Sequence, residues 1–482
     1  FDAARAQLEE VVRLSGETLG GDHPDTLKAT NLLGRVCLDR GNYDEAEAHF
    51  ARARAGYGRR YGEGHEGTLS ARANLATVAQ ARGDIDRAEA LYGEVLEAQR
   101  LALGEGHQAT RATTLNLARL YQTRGRFREA ERLMTAVIDA ERTAFGDGDP
   151  GTLPARRNLA ALYQAEDHND KALPLLLELF EASHRIFGDE HNYTCMDRNN
   201  LAACYAELRR LDEAEPLYER NLEVLRRQFG DGHRNTLATL SNLAALYLDR
   251  GEYAKAEPLF AKTLAGARLT SAADGPDVLL ALNNLALAKY RQAKYAEAEP
   301  LYQEALAGCR KVLGPRHPNT LMVCGSLGSV YVLWGKDAKA EPLFEEVRAA
   351  LAAQPGGAED QRTATVLATL GRIKLRLKKA DEAEPLLRDS LRIYEAQAPE
   401  SLQRFGARSL LGDCLTARGK YADAESLVLT GYEGLRRRAK EIPAGDNSLA
   451  DAGERVVRLY EAWGKPEKAA AWRANHASPT EP

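Results

Sequence analysis

The chain has 482 residues, with 65 Lys and Arg against 70 Asp and Glu, for a formal net charge of −5. At 44% hydrophobic and 28% charged residues it is too apolar for a disordered chain, and it lacks the basic excess of a nucleic-acid-binding protein. No window approaches the roughly 18 apolar residues of a membrane span, and ordinary domain sizes divide this length into about three domains.

The six cysteines (Cys37, Cys195, Cys204, Cys309, Cys324 and Cys414) form no C-x-x-C pair and fit no zinc or haem spacing. Most sit in apolar runs, where a free thiol acts as a small hydrophobe. So few cysteines in so long a chain fit a reducing compartment, and a cytoplasmic location without cofactor or metal is expected. The chain starts at Phe1 in the middle of a repeat pattern, which reads as a C-terminal segment of something longer.

That repeat replaces the three-domain estimate. Aligning the alanine of G-x-Y-x-x-A-E gives Ala4, Ala46, Ala88, Ala130, Ala172, Ala214, Ala256, Ala298 and Ala340, eight intervals of 42 residues. The pattern then drifts to Ala383, Ala424 and Ala469. A fixed period of this size marks a solenoid or a propeller. Leu237, Leu240, Leu243, Ala244 and Tyr247 fall at helical spacing without period-2 alternation, which excludes the propeller.

Taken in chain order, each unit predicts a loop carrying His23, His65, His107, His191, His233 or His317, then helix A. A turn glycine follows (Gly41, Gly83, Gly125, Gly251, Gly335, Gly419), as for a helix C-terminal cap. Helix B comes next, with Pro174, Pro216, Pro258, Pro300, Pro342 and Pro385 expected in its tolerant first turn. Equivalent histidines in stacked repeats lie roughly 10 Å apart, too far to share a metal ion, so a helix-capping role is expected. The unit at Ala273-Asp274-Gly275-Pro276 lacks the loop His and Thr, and the period first slips at Gln354-Pro355-Gly356-Gly357-Ala358. Either place is expected to alter curvature.

Helix A reads Leu-Ala-x-x-Tyr at Leu117–Tyr121, Leu159–Tyr163, Leu201–Tyr205 and Leu243–Tyr247. Helix B reads Ala-x-x-x-aromatic at Ala46/Phe50, Ala88/Tyr92, Ala214/Tyr218, Ala256/Phe260, Ala298/Tyr302 and Ala340/Phe344. This matches the tetratricopeptide signature, in which small residues admit close helix approach. The usual unit has about 34 residues, so the extra length is expected in both helices. His317-Pro318-Asn319-Thr320-Leu321, Asn199-Asn200-Leu201-Ala202 and Ala298-Glu299-Pro300-Leu301-Tyr302 resemble the 42-residue repeats of the kinesin light chain family, over roughly residues 1–395. The run Val457–Ala469 resembles the tail of bacterial serine/threonine protein kinases that carry such repeats behind the kinase domain.

The expected fold is all-α, a right-handed superhelical solenoid of antiparallel helix pairs. It would occupy residues 1–438, about ten 42-residue pairs after an initial partial repeat. A helical cap at 439–473 and a disordered tail at 474–482 would follow.

No phosphate loop, zinc helix, nucleophile elbow or kinase motif occurs, and a non-enzymatic role is expected. The sharper signal is a row of asparagines, Asn74, Asn116, Asn158, Asn200, Asn242 and Asn284, at one helix A position in six successive units, with Leu32 and Ser326 at its ends. Each costs about half a kcal/mol against Ala. Either the amides meet an extended peptide in a concave groove, or they form an internal ladder between repeats. In peptide-binding tetratricopeptide domains, which this chain resembles, Asn at this position contacts the ligand. Lys28, Asn31, Arg35, Arg119, Arg157, Asn199 and Asn283 neighbour the row. Arg119 and Arg157 could pair with an acidic side chain or a peptide C-terminus, or be solvated surface charge. The expected partner is a protein or peptide, with no nucleic acid, membrane or metal, and the oligomeric state stays open. The alternative is the regulatory or substrate-recruiting region of a larger bacterial serine/threonine kinase.

Overall fold

The computed structural model describes residues 2–146, 150–443 and 446–476, and every regular element among them is helical. A first helix, α1 (Asp2–Leu19), precedes eleven pairs. These begin with α2 (Pro24–Asp39) and α3 (Tyr43–Tyr61), α4 (Glu66–Ala81) and α5 (Ile85–Leu103), and α6 (Gln108–Thr123) and α7 (Phe127–Phe145). Next are α8 (Leu153–Ala165) and α9 (Asn169–Phe187), α10 (Asn192–Glu207) and α11 (Leu211–Phe229), and α12 (Arg234–Asp249) and α13 (Tyr253–Thr270). Then come α14 (Pro276–Arg291) and α15 (Tyr295–Val312), α16 (Pro318–Leu333) and α17 (Asp337–Ala352), and α18 (Gln361–Arg376) and α19 (Ala380–Gln397). The last are α20 (Leu402–Ala417) and α21 (Tyr421–Arg437), and α22 (Ser448–Ala462) and α23 (Pro466–His476). The chain divides into two compact units, Phe1–Gln228 and Phe229–Pro482, within each of which contacts run mainly between consecutive helices. Residues 477–482 of the expected tail, and Ala444-Gly445, lie outside the described residues.

Six of the A helices start on a histidine cap. The Nδ1 atoms of His23, His65, His107, His191, His233 and His317 accept the backbone N–H two residues ahead, at 3.1–3.3 Å. One of the otherwise orphaned amides of the first turn is thereby satisfied. The rings of His65, His191 and His233 stack on the last aromatic of the preceding helix B, Tyr61, Phe187 and Phe229, with centroids 4.4–4.6 Å apart. Three residues beyond the cap, Thr68, Thr110, Thr194 and Thr320 donate from Oγ1 to the carbonyl of a loop glycine at 2.7–2.9 Å. Where the His is missing, Gly275 caps α14 with no side-chain bond. The one-residue slip before α18 is taken up by a 3₁₀ turn, Gly357–Glu359, and Asp360 caps the helix instead.

The A-to-B turn places one residue in the left-handed region in every pair from α2/α3 to α22/α23. Glycine serves at Gly41, Gly83, Gly125, Gly251, Gly335, Gly419 and Gly464, whereas Asp167, Arg209, Ala293 and Lys378 hold φ of 57–61° without being glycine. The rise from helix A to helix B is thus a backbone constraint that four non-glycine residues obey at a steric cost.

Between the helices of a pair the approach is close. The periodic alanines Ala46, Ala88, Ala130, Ala172, Ala214, Ala256, Ala298, Ala340, Ala383, Ala424 and Ala469 are buried to 1% exposure or less. Opposite them on helix A stand Ala76, Ala118, Ala160, Ala202, Ala244 and Ala286, equally buried. Opposite Phe50 and Phe344 of helix B, helix A shrinks to glycine. A Cβ on Gly34 would lie 2.8 Å from the Phe50 ring, and one on Gly328 2.7 Å from the Phe344 ring. All six cysteines are buried free thiols, and burial pushes Cys414 up to about 11 and Cys324 up to about 12. At the C-terminal end Trp463 stacks on Tyr421 and Trp472 meets Tyr432 edge-on, so both tryptophans are spent on packing.

The prolines differ from expectation. Pro174, Pro216, Pro258, Pro300, Pro342 and Pro385 are each the sixth residue of helix B. They lie beyond the first turn, and each removes one intrahelical hydrogen bond. The helices run on unbroken.

In most repeats the residue after the periodic alanine is a glutamate that locks one repeat to the next. Glu257 accepts from Lys289, Lys294 and Gln292 at 2.6–2.8 Å, and Glu341 from Lys374 and Lys379 at 2.8–2.9 Å. Glu299 meets Lys339 and the Tyr331 hydroxyl, and Glu384 meets Lys420 and Arg418. In the first unit Glu47 pairs with Arg82 and Arg87, and Glu89 with Arg124 and Arg126. Hydrogen bonds from Lys289 and Lys294 hold Glu257 down to about 2. Burial opposes the same shift at Glu384, but the bonds from Arg388, Lys420 and Arg418 prevail and bring it to about 2.

Because these carboxyls titrate lower in the folded chain than unfolded, their stabilisation is complete above the unfolded value of about 4.3. It is lost as pH falls from there through about 2. The thermal midpoint is expected to drop across that window, and Glu257→Gln to flatten the drop, as calorimetry from pH 7 to 2 would show. At the turns, Ala293→Gly is expected to stabilise and Gly251→Ala to destabilise, each by about 1 kcal/mol. Urea unfolding midpoints that move the other way would contradict the constraint.

Candidate functional site

Helix A presents one face to the helix pairs and leaves a half-exposed stripe on the other. All six asparagines of the row, Asn74, Asn116, Asn158, Asn200, Asn242 and Asn284, lie on this stripe and are half-buried. Asn74 Nδ2 donates to Asn31 Oδ1 of the preceding repeat at 3.1 Å. Asn116 Oδ1 accepts from Arg119 Nη2 one turn on, and Asn283 Nδ2 donates to Asn284 Oδ1 at 3.3 Å. Asn199 and Asn242 are engaged within the protein. Among the described residues, the Asn158 and Asn200 amides carry no side-chain partner. The Asn74–Asn31 bond has the form of an inter-repeat ladder.

The two candidate arginines part company. Arg119 is exposed. Arg157 instead forms a two-pronged pair with Asp197, Nε to Oδ1 and Nη2 to Oδ2, both at 2.7 Å. Ser183 Oγ donates to the same carboxylate, and the Arg157 guanidinium lies 4.9 Å from the Tyr193 ring centroid. Asp197 is fully buried, so the pair ties α8, α9 and α10 together. A second network surrounds Asp189, which precedes α10. Buried Arg198 and exposed Arg220 both donate to it. Burial opposes the ionised carboxylate, yet the Arg220 hydrogen bonds hold Asp189 below its ordinary range.

One position the sequence reading passed over lies one turn before each Asn. It carries exposed apolar side chains at Met196 (39%) and Leu280 (57%), and Met322 (53%) stands in the same register before Ser326. Large apolar residues on the polar stripe of an amphipathic helix were the available signal. The stripe thus combines amide groups with exposed apolar side chains.

The model for the tetratricopeptide repeat matches residues 1–59, 32–100, 67–143, 110–183, 194–268, 277–353 and 362–437. Among solved structures, a putative kinesin light chain with nearly identical TPR-like repeats from Podospora anserina is 25% identical, covering 43% of this chain and 98% of its own, with a TM-score of 0.38. BtubC (BKLC) from P. vanneervenii is 24% identical, covering 48% and 94%, with a TM-score of 0.42. The apo quorum sensor NprR from B. thuringiensis is 15% identical, covering 76% and 98%, and at a TM-score of 0.51 it shares the fold. A comparison with curated proteins finds no match.

Removing the fully buried member of a largely shielded ion pair is far costlier than removing a surface pair. Asp197→Ala is therefore expected to destabilise by about 3–5 kcal/mol, read from the unfolding midpoint. A change under about 1 kcal/mol, the scale of an exposed pair, would mean that Arg157 is not held structurally.

Proposed function

The chain belongs to the tetratricopeptide repeat family, and from that premise we propose that it is a non-enzymatic scaffold that binds a segment of a partner protein along the concave, helix A side of its repeats. The observation that carries the reading is the pair Asn158 and Asn200. Both are half-buried in the stripe, and neither has a side-chain partner among the described residues. An amide in that state offers a donor and an acceptor together, the complement of a peptide group. Asn74, Asn116, Asn199 and Arg119 contribute from the A helices of the first unit, and Asn242, Asn283 and Asn284 from those of the second. Arg157 supports it from behind through Asp197. Met196, Leu280 and Met322 supply apolar contact beside the amides.

A second reading rests on the run Val457–Ala469: the array would be the substrate-recruiting region of a larger serine/threonine kinase. Sequencing the gene upstream of Phe1 tests it, and a kinase domain there is the supporting result.

The binding reading is tested with a peptide selected by display on the intact chain, re-measured on the double variant Asn158→Ala, Asn200→Ala. Two lost hydrogen bonds are expected to weaken binding about tenfold or more. Stability should rise by up to about 1 kcal/mol, because Ala is the better helix former. Unchanged binding with lowered stability would instead make both asparagines structural.

A further inference from the structure

His191, which caps α10, is the histidine most closely enclosed by other groups. Its Nδ1 accepts the Tyr193 backbone N–H at 3.2 Å, so the neutral ring carries its hydrogen on Nε2. The ring centroid lies 4.6 Å from that of Phe187, the last residue of α9, and 5.3 Å from that of Tyr193 on α10. Tyr193 in turn meets the Arg157 guanidinium at 4.9 Å. One imidazole thus joins the end of α9 to the first turn of α10, beside the Arg157–Asp197 pair. His191 is itself exposed, so a proton reaches it without any opening of the structure.

The cap exists only while Nδ1 is bare. Histidine is the side chain that changes charge between about pH 8 and 5, and with Nε2 already protonated the incoming proton goes to Nδ1. One N–H then faces another, and the first-turn amide loses its acceptor. Positive charge is also unfavourable at a helix N-terminus. The face of Phe187 accepts a charged ring as well as a neutral one, so it is the cap, not the stack, that the proton removes.

The carboxylates nearby do not offset this loss. Asp189 is engaged by Arg198 on α10 and by Arg220 on α11, the latter at 2.6 Å, and Glu190 accepts from Arg227. Glu223 pairs with Arg220 at 2.7 Å. Helix α9 adds Arg185 and also His184, whose Nδ1 lies 3.6 Å from Asp189 Oδ1. Against the pull of burial, the Arg220 bonds and the Arg198 charge hold Asp189 below its ordinary range, so it stays ionised and engaged. Among the described residues no carboxylate pairs with the His191 ring. Arg185, Arg198, Arg220 and Arg227 against Asp189, Glu190 and Glu223 already leave a positive balance, to which a proton on His191 adds. His23 differs, with Asp25 Oδ2 3.6 Å away to receive a charged ring. We propose that His191 is a proton-sensitive latch on α10, closed while its ring is neutral and released when it is charged. The folded chain excludes a proton that the unfolded chain takes freely. The latch therefore stabilises fully above the histidine range and is lost as pH falls through it, well before the docking glutamates titrate.

The test is hydrogen exchange on the full chain at about pH 7 and about pH 5.5, with rates corrected for intrinsic chemistry. Over residues 188–198 protection is expected to fall about fivefold, the equivalent of a cap worth about 1 kcal/mol. The starts of α18 and α20, capped by Asp360 and Ser401, should keep theirs. His191→Asn supplies a cap that does not titrate, and its protection is expected to be the same at both pH values. His184→Gln should leave the fall intact. An equal fall in His191→Asn, or its disappearance in His184→Gln, would assign the effect to another group and overturn the proposal. So would unchanged protection in the unaltered chain. The side-chain nitrogen resonances of His191 provide a reading for which no variant has to fold. Hydrogen on Nε2 at pH 7 is the expected tautomer, and hydrogen on Nδ1 would remove the latch outright.

Discussion

Every repeat depends on how near two helix backbones can come. A buried alanine on helix B faces a buried alanine or glycine on helix A in pair after pair, and no larger side chain fits between them without displacing the aromatic one turn on. That close approach sets the angle of each pair, and the angle sets where the next pair must dock. The hydrophobic residues above and below the contact fill what remains. The left-handed turn residue belongs to the same constraint, since only that backbone geometry returns the chain tightly enough to bring the small residues together.

Charge works on a different scale. Where a glutamate stands beside the buried alanine it reaches the cations around the following turn, so that Glu47, Glu89, Glu257, Glu341 and Glu384 hold consecutive pairs in register with two or three donors each. Such partly buried, multiply bonded acids fix geometry more than isolated surface pairs do. Inside the first unit the Arg157–Asp197–Ser183 group does similar work at the inner edges of three helices. The stripe left between these networks is polar, with apolar residues set into it, and it is here that unsatisfied groups remain.

The pairing, the turn position and the capping histidines were all readable from residues recurring at a fixed interval, because each obeys a local rule that operates within one unit. The helix ends followed from His23 or Gly41 without knowledge of neighbours. What escaped was relational. The glutamate of A-E stands in plain view in the repeat, yet its role depends on Lys289 or Arg124, one repeat further along. Arg157 looked like its neighbour Arg119 because spacing cannot tell a guanidinium that meets a buried Asp197 from one that meets water. The prolines were placed one turn too early because tolerance in a first turn is the commoner case, whereas here the helix accepts the missing bond.

The turn residue of each pair from Gly41 to Gly335 occurs every 42 residues, glycine or not. Excision or duplication between two such points removes or adds one helix B, one helix A and the turn between them, and joins ends that already share a conformation. The glutamate upstream of the junction then finds a cation from another repeat in the place of its own. Array length is in this sense a separable variable of the molecule: the reach of the helix A surface can change by whole repeats while the chemistry of each junction stays the same.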